Sequence, residues 1–149
     1  MTATTALPRT SIRPAATSTE LGIALLRTSL GVMWIAHALL KLLVFTLPGT
    51  ARFFASVGFP GWLATPVFAA ELAGGIALVL GVYARQAALL LVPVMLGAAW
   101  VHLPNGWVHT SPGGGWEYPV FLVVASVAQW LLGDGAGALL RSDRGTWVR

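Results

Sequence analysis

The chain has no cysteine. That one absence excludes disulfides, thiolate metal sites, iron–sulfur clusters and thiol nucleophiles, and it leaves the redox compartment unmarked by cysteine. Charge is also scarce. Asp, Glu, Lys and Arg make up 9% of the 149 residues, against about 25% in an ordinary soluble domain. A soluble globule of this size could not cover its surface with so few charges. The 56% of hydrophobic residues excludes bulk disorder as well. A mean hydropathy of +0.77 points instead to a multi-span membrane protein. The net charge of +4 would suggest nucleic acid in a soluble chain. Here the bases are scattered around apolar stretches, so the partner expected is a lipid bilayer and not nucleic acid.

Familiar catalytic patterns are missing too. There is no HExxH pair or other dense ligand spacing, so no metal site is expected, although His37, His102, Glu71 and Glu117 could offer nitrogen and oxygen ligands. Gly113–Gly115 is no phosphate loop, because no strand precedes it and no GK[ST] follows. No Ser/His/Asp arrangement can be argued from spacing.

What is present is four apolar stretches. A span needs about 20 apolar residues, and the sequence predicts spans at about 21–45, 66–83, 86–103 and 118–132. The fold class expected is therefore all-α, an integral membrane four-helix bundle filling residues 20–135. Ser18 or Thr19 is the expected cap of the first helix, Pro66 suits the first turn of the second, and Pro93 should kink the third. Residues 46–65 read as a loop with an interfacial piece near Ala51–Val57. Residues 104–117 read as a Gly/Pro-rich loop. Residues 1–19, rich in Thr, Ala, Ser and Pro, read as a flexible tail rather than a secretory leader. The apolar run that follows is too long for a leader and contains Arg27, His37 and Lys41. Residues 136–149 read as a basic tail. Arg9, Arg13, Arg85, Arg141, Arg144 and Arg149 then share one side, with only Arg52 in a loop on the other, which makes both termini cytoplasmic. Trp62, Trp100, Trp107, Trp116 and Tyr118 gather at the outer interface as an aromatic belt.

Ionisable groups inside a span cost at least roughly 2.5–3.5 kcal/mol each at the helix centre, so each needs a reason. Arg27, Trp34 and Lys41 recur every seven residues, and His37 stands four before Lys41, so all four share a helical face. Glu71 lies in the second span beside the small residues Ala70, Gly74 and Gly75, which permit close helix approach and dimerisation. His37, Lys41, Glu71, His102 and Glu117 all fall in the outer half. They predict an outward polar pocket in which Lys41 pairs with Glu71 or Glu117. Arg27 lies too deep on the inner side to reach it and reads as a structural charge. The plainer readings stand beside this one: Lys41 and Arg27 snorkelling to headgroups, His37 bonding a backbone carbonyl, Glu117 capping a helix, and His109 solvated in its loop.

The segments LLRTSLG at 25–31, AHALLK at 36–41, AELAGG at 70–75, LGVYAR at 80–85 and GGGWEYP at 113–119 resemble the DoxX family of small bacterial membrane proteins. The resemblance covers about residues 20–135. It implies four helices in the bacterial cytoplasmic (inner) membrane and association with membrane oxidoreductases, some quinone-linked. It carries the family's polar positions to Arg27, His37, Lys41, Glu71 and Glu117, with His102 added from the residues alone. The function expected is a membrane subunit of an oxidoreductase system that binds a quinone or similar small redox molecule. His37 and Lys41 would donate hydrogen bonds, Glu71 or Glu117 would relay protons, and Trp34 and Trp100 would stack on the ring. Electrons would come from a soluble or membrane oxidoreductase partner or a bound cofactor. A small-solute transporter or channel, and a non-catalytic anchor or assembly subunit, are the alternatives.

Overall fold

The computed structural model describes residues 15–142. Among these residues the chain is helical, with one isolated bridge between Val82 and Leu140 and no strand. Three helices are long and apolar enough to cross a membrane, spanning Ser18–Val44, Gly61–Leu80 and Ala84–Asn105, and a shorter apolar helix spans Glu117–Leu132.

Helix α1 (Ser18–Leu39) starts three residues before the expected span at 21, and Thr17, not Ser18 or Thr19, is its cap. Thr17 Oγ1 accepts from the Glu20 backbone N–H at 3.2 Å, and Glu20 Oε2 accepts from the Thr17 N–H at 3.0 Å. This reciprocal box satisfies two otherwise free donors. The last turn, Leu40–Val44, widens to a π-helix, with Phe45 N–H reaching back to the Leu40 carbonyl at 2.9 Å. Such widened turns concentrate at functional sites, and this one carries Lys41.

The expected interfacial piece is helix α2 (Leu47–Ser56), capped by Thr46, with Pro48 in its first turn. Helix α3 (Ala64–Leu80) stops three residues before the predicted end at Tyr83. Gly81 adopts φ +67° and the N–H of Val82 returns to the Ala77 carbonyl at 2.8 Å, closing a left-handed helix stop. Helix α4 (Ala84–His102) runs on through Pro93 without a break, and α5 (Glu117–Leu132) follows the Gly-rich loop.

The four long apolar helices α1, α3, α4 and α5 alternate in direction. The broadest packing joins α1 to α3 and α4 to α5, with α3 against α4 between them. A small-residue contact sets the first of these. A Cβ on Gly31 would stand 2.7 Å from the Gly75 carbonyl, and one on Gly75 would stand 2.9 Å from that of Gly31. Only glycine at both positions lets the two backbones approach so closely. The core is a seam of Leu30, Trp34, Leu78, Leu91, Met95 and Leu122 with small alanines between, while Leu25, Leu43, Leu90 and Val124 are exposed on the outer faces, as lipid-facing residues are.

The segment after α5 does not leave as a tail at 136. Residues 133–142 fold back over the helix ends. Leu139 and Leu140 donate to the carbonyls of Leu80 and Gly81, Tyr83 donates to Leu140, and Ala136 donates to Glu20, at 2.9–3.2 Å. Asp134 accepts from the Ser142 N–H at 2.7 Å. The left-handed turn at 81–83 leaves backbone groups free, and this returning segment takes them up.

Candidate functional site

At the end of the helices shared by α2 and the 103–116 loop, the π-turn of α1 faces the first half of α3. Lys41 Nζ lies 2.7 and 2.9 Å from the two oxygens of Glu71. Of the two expected partners, Glu71 is therefore the one that Lys41 takes. Glu71 is 1% exposed and Lys41 18%, so the pair is held largely inside the protein. The antiparallel register set by Gly31 and Gly75 is what brings residues 30 apart in sequence face to face.

One turn before Lys41, His37 donates through Nδ1 to the Met33 carbonyl at 2.8 Å. Its ring stacks on Tyr118 from α5, with centroids 5.8 Å apart and planes 20° apart. Trp34, a further turn back, is buried with its indole N–H unpartnered, and the Tyr118 hydroxyl is buried and unpartnered too. Buried polar atoms are rarely left without partners, so each such atom calls for a water or a ligand. Among the described residues, every buried side-chain polar atom without a partner sits on α1 or α5: on Arg27, Trp34, Tyr118, Ser126 and Gln129.

The remaining predicted residues go elsewhere. Glu117 accepts through Oε1 from both the backbone N–H and the ring of His109, each at 2.8 Å. It pairs with the loop and not with Lys41, because the loop delivers His109 to it while Lys41 is taken by Glu71. His102 donates to the Gly113 carbonyl at 3.0 Å, beside Asn105 on the same oxygen. Trp100 is 69% exposed. It follows the buried Ala99 by about 100° of helical rotation, which turns it away from the core and from any ring at the pair. Arg27 is buried at the opposite end, where it donates to the Ala136 carbonyl at 3.1 Å. It does not reach headgroups, because the returning 133–142 segment covers it.

Tyr118 is the residue that the sequence reading set in the aromatic belt and left out of the site, and its ring packs on His37. Its helical spacing held the missed indication: 118 leads the stripe of buried positions 122, 125, 126 and 129, which marks the inward face of α5. Among the described residues no three His, Asp or Glu side chains gather as a metal site would require.

A profile of the DoxX family matches residues 22–103, a stretch that includes Lys41 and Glu71 but not Tyr118. A protein of Bacillus subtilis (strain 168) named "Putative oxidoreductase CatD" is 35% identical over 81 residues, which is 54% of this chain and 59% of that protein. The matched part thus spans about three fifths of the relative's length. No solved structure matches.

Proposed function

The chain belongs to the DoxX family, and from that premise we propose that it is the membrane subunit of an oxidoreductase system in the bacterial cytoplasmic membrane. It would hold a quinone or a similar small redox molecule beside the Lys41–Glu71 pair, with the α2 end facing outward. The observation that carries this reading is a buried, closely bonded acid–base pair together with two buried donors that have no acceptor, the Trp34 indole N–H two turns before Lys41 on α1 and the hydroxyl of Tyr118, whose ring stacks on His37.

The donor set fits the ligand. A quinone presents carbonyl oxygens that only accept, and these two groups have hydrogens to give. On reduction the quinone takes up two electrons and two protons, the electrons supplied by a partner protein or a bound cofactor. The chain's own part is to bind, orient and move protons. Trp34 and Tyr118 would hold the oxygens. The His37 ring, fixed by Met33, would keep Tyr118 in place. A proton could pass between Lys41 Nζ and Glu71 Oε2 across 2.7 Å. The name of the Bacillus subtilis relative agrees with an oxidoreductase setting.

Tyr118→Phe tests the reading. It removes a hydroxyl that has no protein partner, so folding stability should hold or rise slightly. Quinone binding to the purified protein in nanodiscs should weaken about tenfold, the worth of one hydrogen bond. Wild-type protein that neither retains nor shifts with added quinone would refute the reading. Unchanged binding in Tyr118→Phe would remove Tyr118 from the site.

A further inference from the structure

At the end of the helices opposite the Lys41–Glu71 pair, the starts of α1 and α4, the end of α5 and the returning 133–142 segment enclose a cavity of about 240 Å³. Two bases, Arg85 and Arg141, and two acids, Glu20 and Asp134, stand in its wall with Leu132 and Ser142. The acids are already engaged. Glu20 Oε2 accepts from the N–H and the hydroxyl of Thr17 at 3.0 and 3.1 Å. Asp134 accepts the Ser142 N–H on one oxygen at 2.7 Å and the Ser142 hydroxyl on the other at 2.8 Å. The bases are not. A guanidinium carries five N–H donors. Arg85 gives one to the Leu131 carbonyl at 3.3 Å, and among the described residues neither Arg85 nor Arg141 has a carboxylate within 4 Å. Gly133 leaves room for Arg85 in the wall, since a Cβ there would stand 2.9 Å from Arg85 Nη2. Behind the wall the buried Arg27 lies close enough to Asp134 for their charges to attract. This end therefore sets three bases against two acids, and the two bases with donors to spare are the ones in the cavity wall.

We propose that this cavity is a second site, separate from the Lys41–Glu71 pair, which binds a phosphate-bearing anion between the guanidinium groups of Arg85 and Arg141. Guanidinium forks match phosphate oxygens two at a time, in charge-assisted bonds. The volume is below the about 300–1,000 Å³ of drug-sized sites, which suits a headgroup-sized anion rather than a redox cofactor. The phosphate could belong to a phospholipid or be free in water. The helix termini put the cavity at the level of the membrane rim, where headgroups lie, and basic pockets between spanning helices take anionic headgroups there. Leu132, in the same wall, is 52% exposed at the end of apolar α5, beside the lipid tails. Arg85 stands on α4 and Arg141 on the returning segment, so the anion would tie that segment to the bundle. A mere cap on the end of α5 would explain the Arg85–Leu131 bond but gives Arg141 no part. The inference does not depend on the redox reading.

The test titrates the full chain in a neutral detergent with phosphatidylglycerol, with phosphatidylcholine and with inorganic phosphate. Native mass spectrometry counts bound lipid, and the shift in Tm reads phosphate. Arg141→Gln and Arg85→Gln each remove one fork. Arg52→Gln removes the same charge from an exposed position on α2 and serves as the control. The expected result is one phosphatidylglycerol per chain, held at least about tenfold less tightly in Arg141→Gln and in Arg85→Gln and unchanged in Arg52→Gln. Phosphatidylcholine, whose choline cancels the phosphate charge, should bind at least about tenfold less tightly than phosphatidylglycerol. Arg85→Gln also loosens the end of α5, so Arg141→Gln, whose side chain is exposed, decides if the two disagree. A Tm raised by inorganic phosphate in the wild type and not in Arg141→Gln, without lipid binding, assigns the site to the free anion; lipid binding that inorganic phosphate does not displace assigns it to the headgroup. Binding of neither, equal binding of the two lipids, binding unchanged in Arg141→Gln, or an equal loss in Arg52→Gln overturns the proposal.

Discussion

Lys41→Met and Glu71→Gln break the same bond but leave different remains. Lys41→Met strands a carboxylate that is 1% exposed. Removing one partner of a buried pair costs about 3–5 kcal/mol in soluble proteins. The carboxyl can also escape by taking a proton. For an ordinary glutamate at pH 7 that costs about 2.7 pH units, or roughly 3.7 kcal/mol, which caps the penalty. Glu71→Gln leaves a lysine that is 18% exposed on a long flexible stem. Its ammonium can swing toward the rim, and the new amide still offers it an oxygen, so the cost should be about 1–2 kcal/mol. The expected gap is about 2 kcal/mol, or roughly 4–8 °C in Tm for a chain of this length. The double variant should be no worse than Lys41→Met alone, since no charge is left unpaired. Thermal melts followed by the fluorescence of the seven tryptophans, in one detergent or one nanodisc lipid, read all three. Equal damage from the two single changes, or a double variant as damaged as the sum of the singles, would refute the idea that burial of Glu71 sets the energetics of the site.

Two further predictions concern the opposite end of the helices. Gly81→Ala should lower stability by about 2 kcal/mol or more, because Gly81 holds φ +67° and an added Cβ would run into the Arg27 guanidinium and stand 2.6 Å from the Ala138 Cα; the same melts check it. Ser142 Oγ lies 2.7 Å from Gln86 Oε1 and 2.8 Å from Asp134 Oδ1. Ser142→Ala should therefore cost about 1–3 kcal/mol and speed amide exchange at 133–142 and 83–86, while exchange around Lys41 and Glu71 stays unchanged.

Much of the architecture was readable from local pattern. Apolar length marks the helices, and the Gly-rich loop marks a break, because both depend on residues near one another in the chain. The boundary errors have separate, local causes. Thr17, not its neighbours, takes the cap because Glu20 stands three residues on, and α3 stops at Leu80 because Gly81 can turn left-handed there. The return of 133–142 left no local trace, since its bonds go to Leu80, Gly81, Tyr83 and Glu20, all distant in sequence.

The site divides along the same line. Composition alone required that Lys41 and Glu71 have a reason to lie in apolar spans, because an isolated charge is too costly in hydrocarbon. Sequence left Glu71 and Glu117 equal as partners and grouped His102 and Trp100 with them, since all four lie near the same end of their helices. Tertiary structure decided between them. Close approach at Gly31 and Gly75 fixes the α1–α3 register, which sets Glu71 against Lys41. The loop offers Glu117 and His102 nearer partners. Helical rotation points Tyr118 inward and Trp100 out. Depth in a membrane is a one-dimensional property that a chain carries in its own order of residues; which groups meet at a given depth depends on rotation and register between helices, and these exist only once the helices pack.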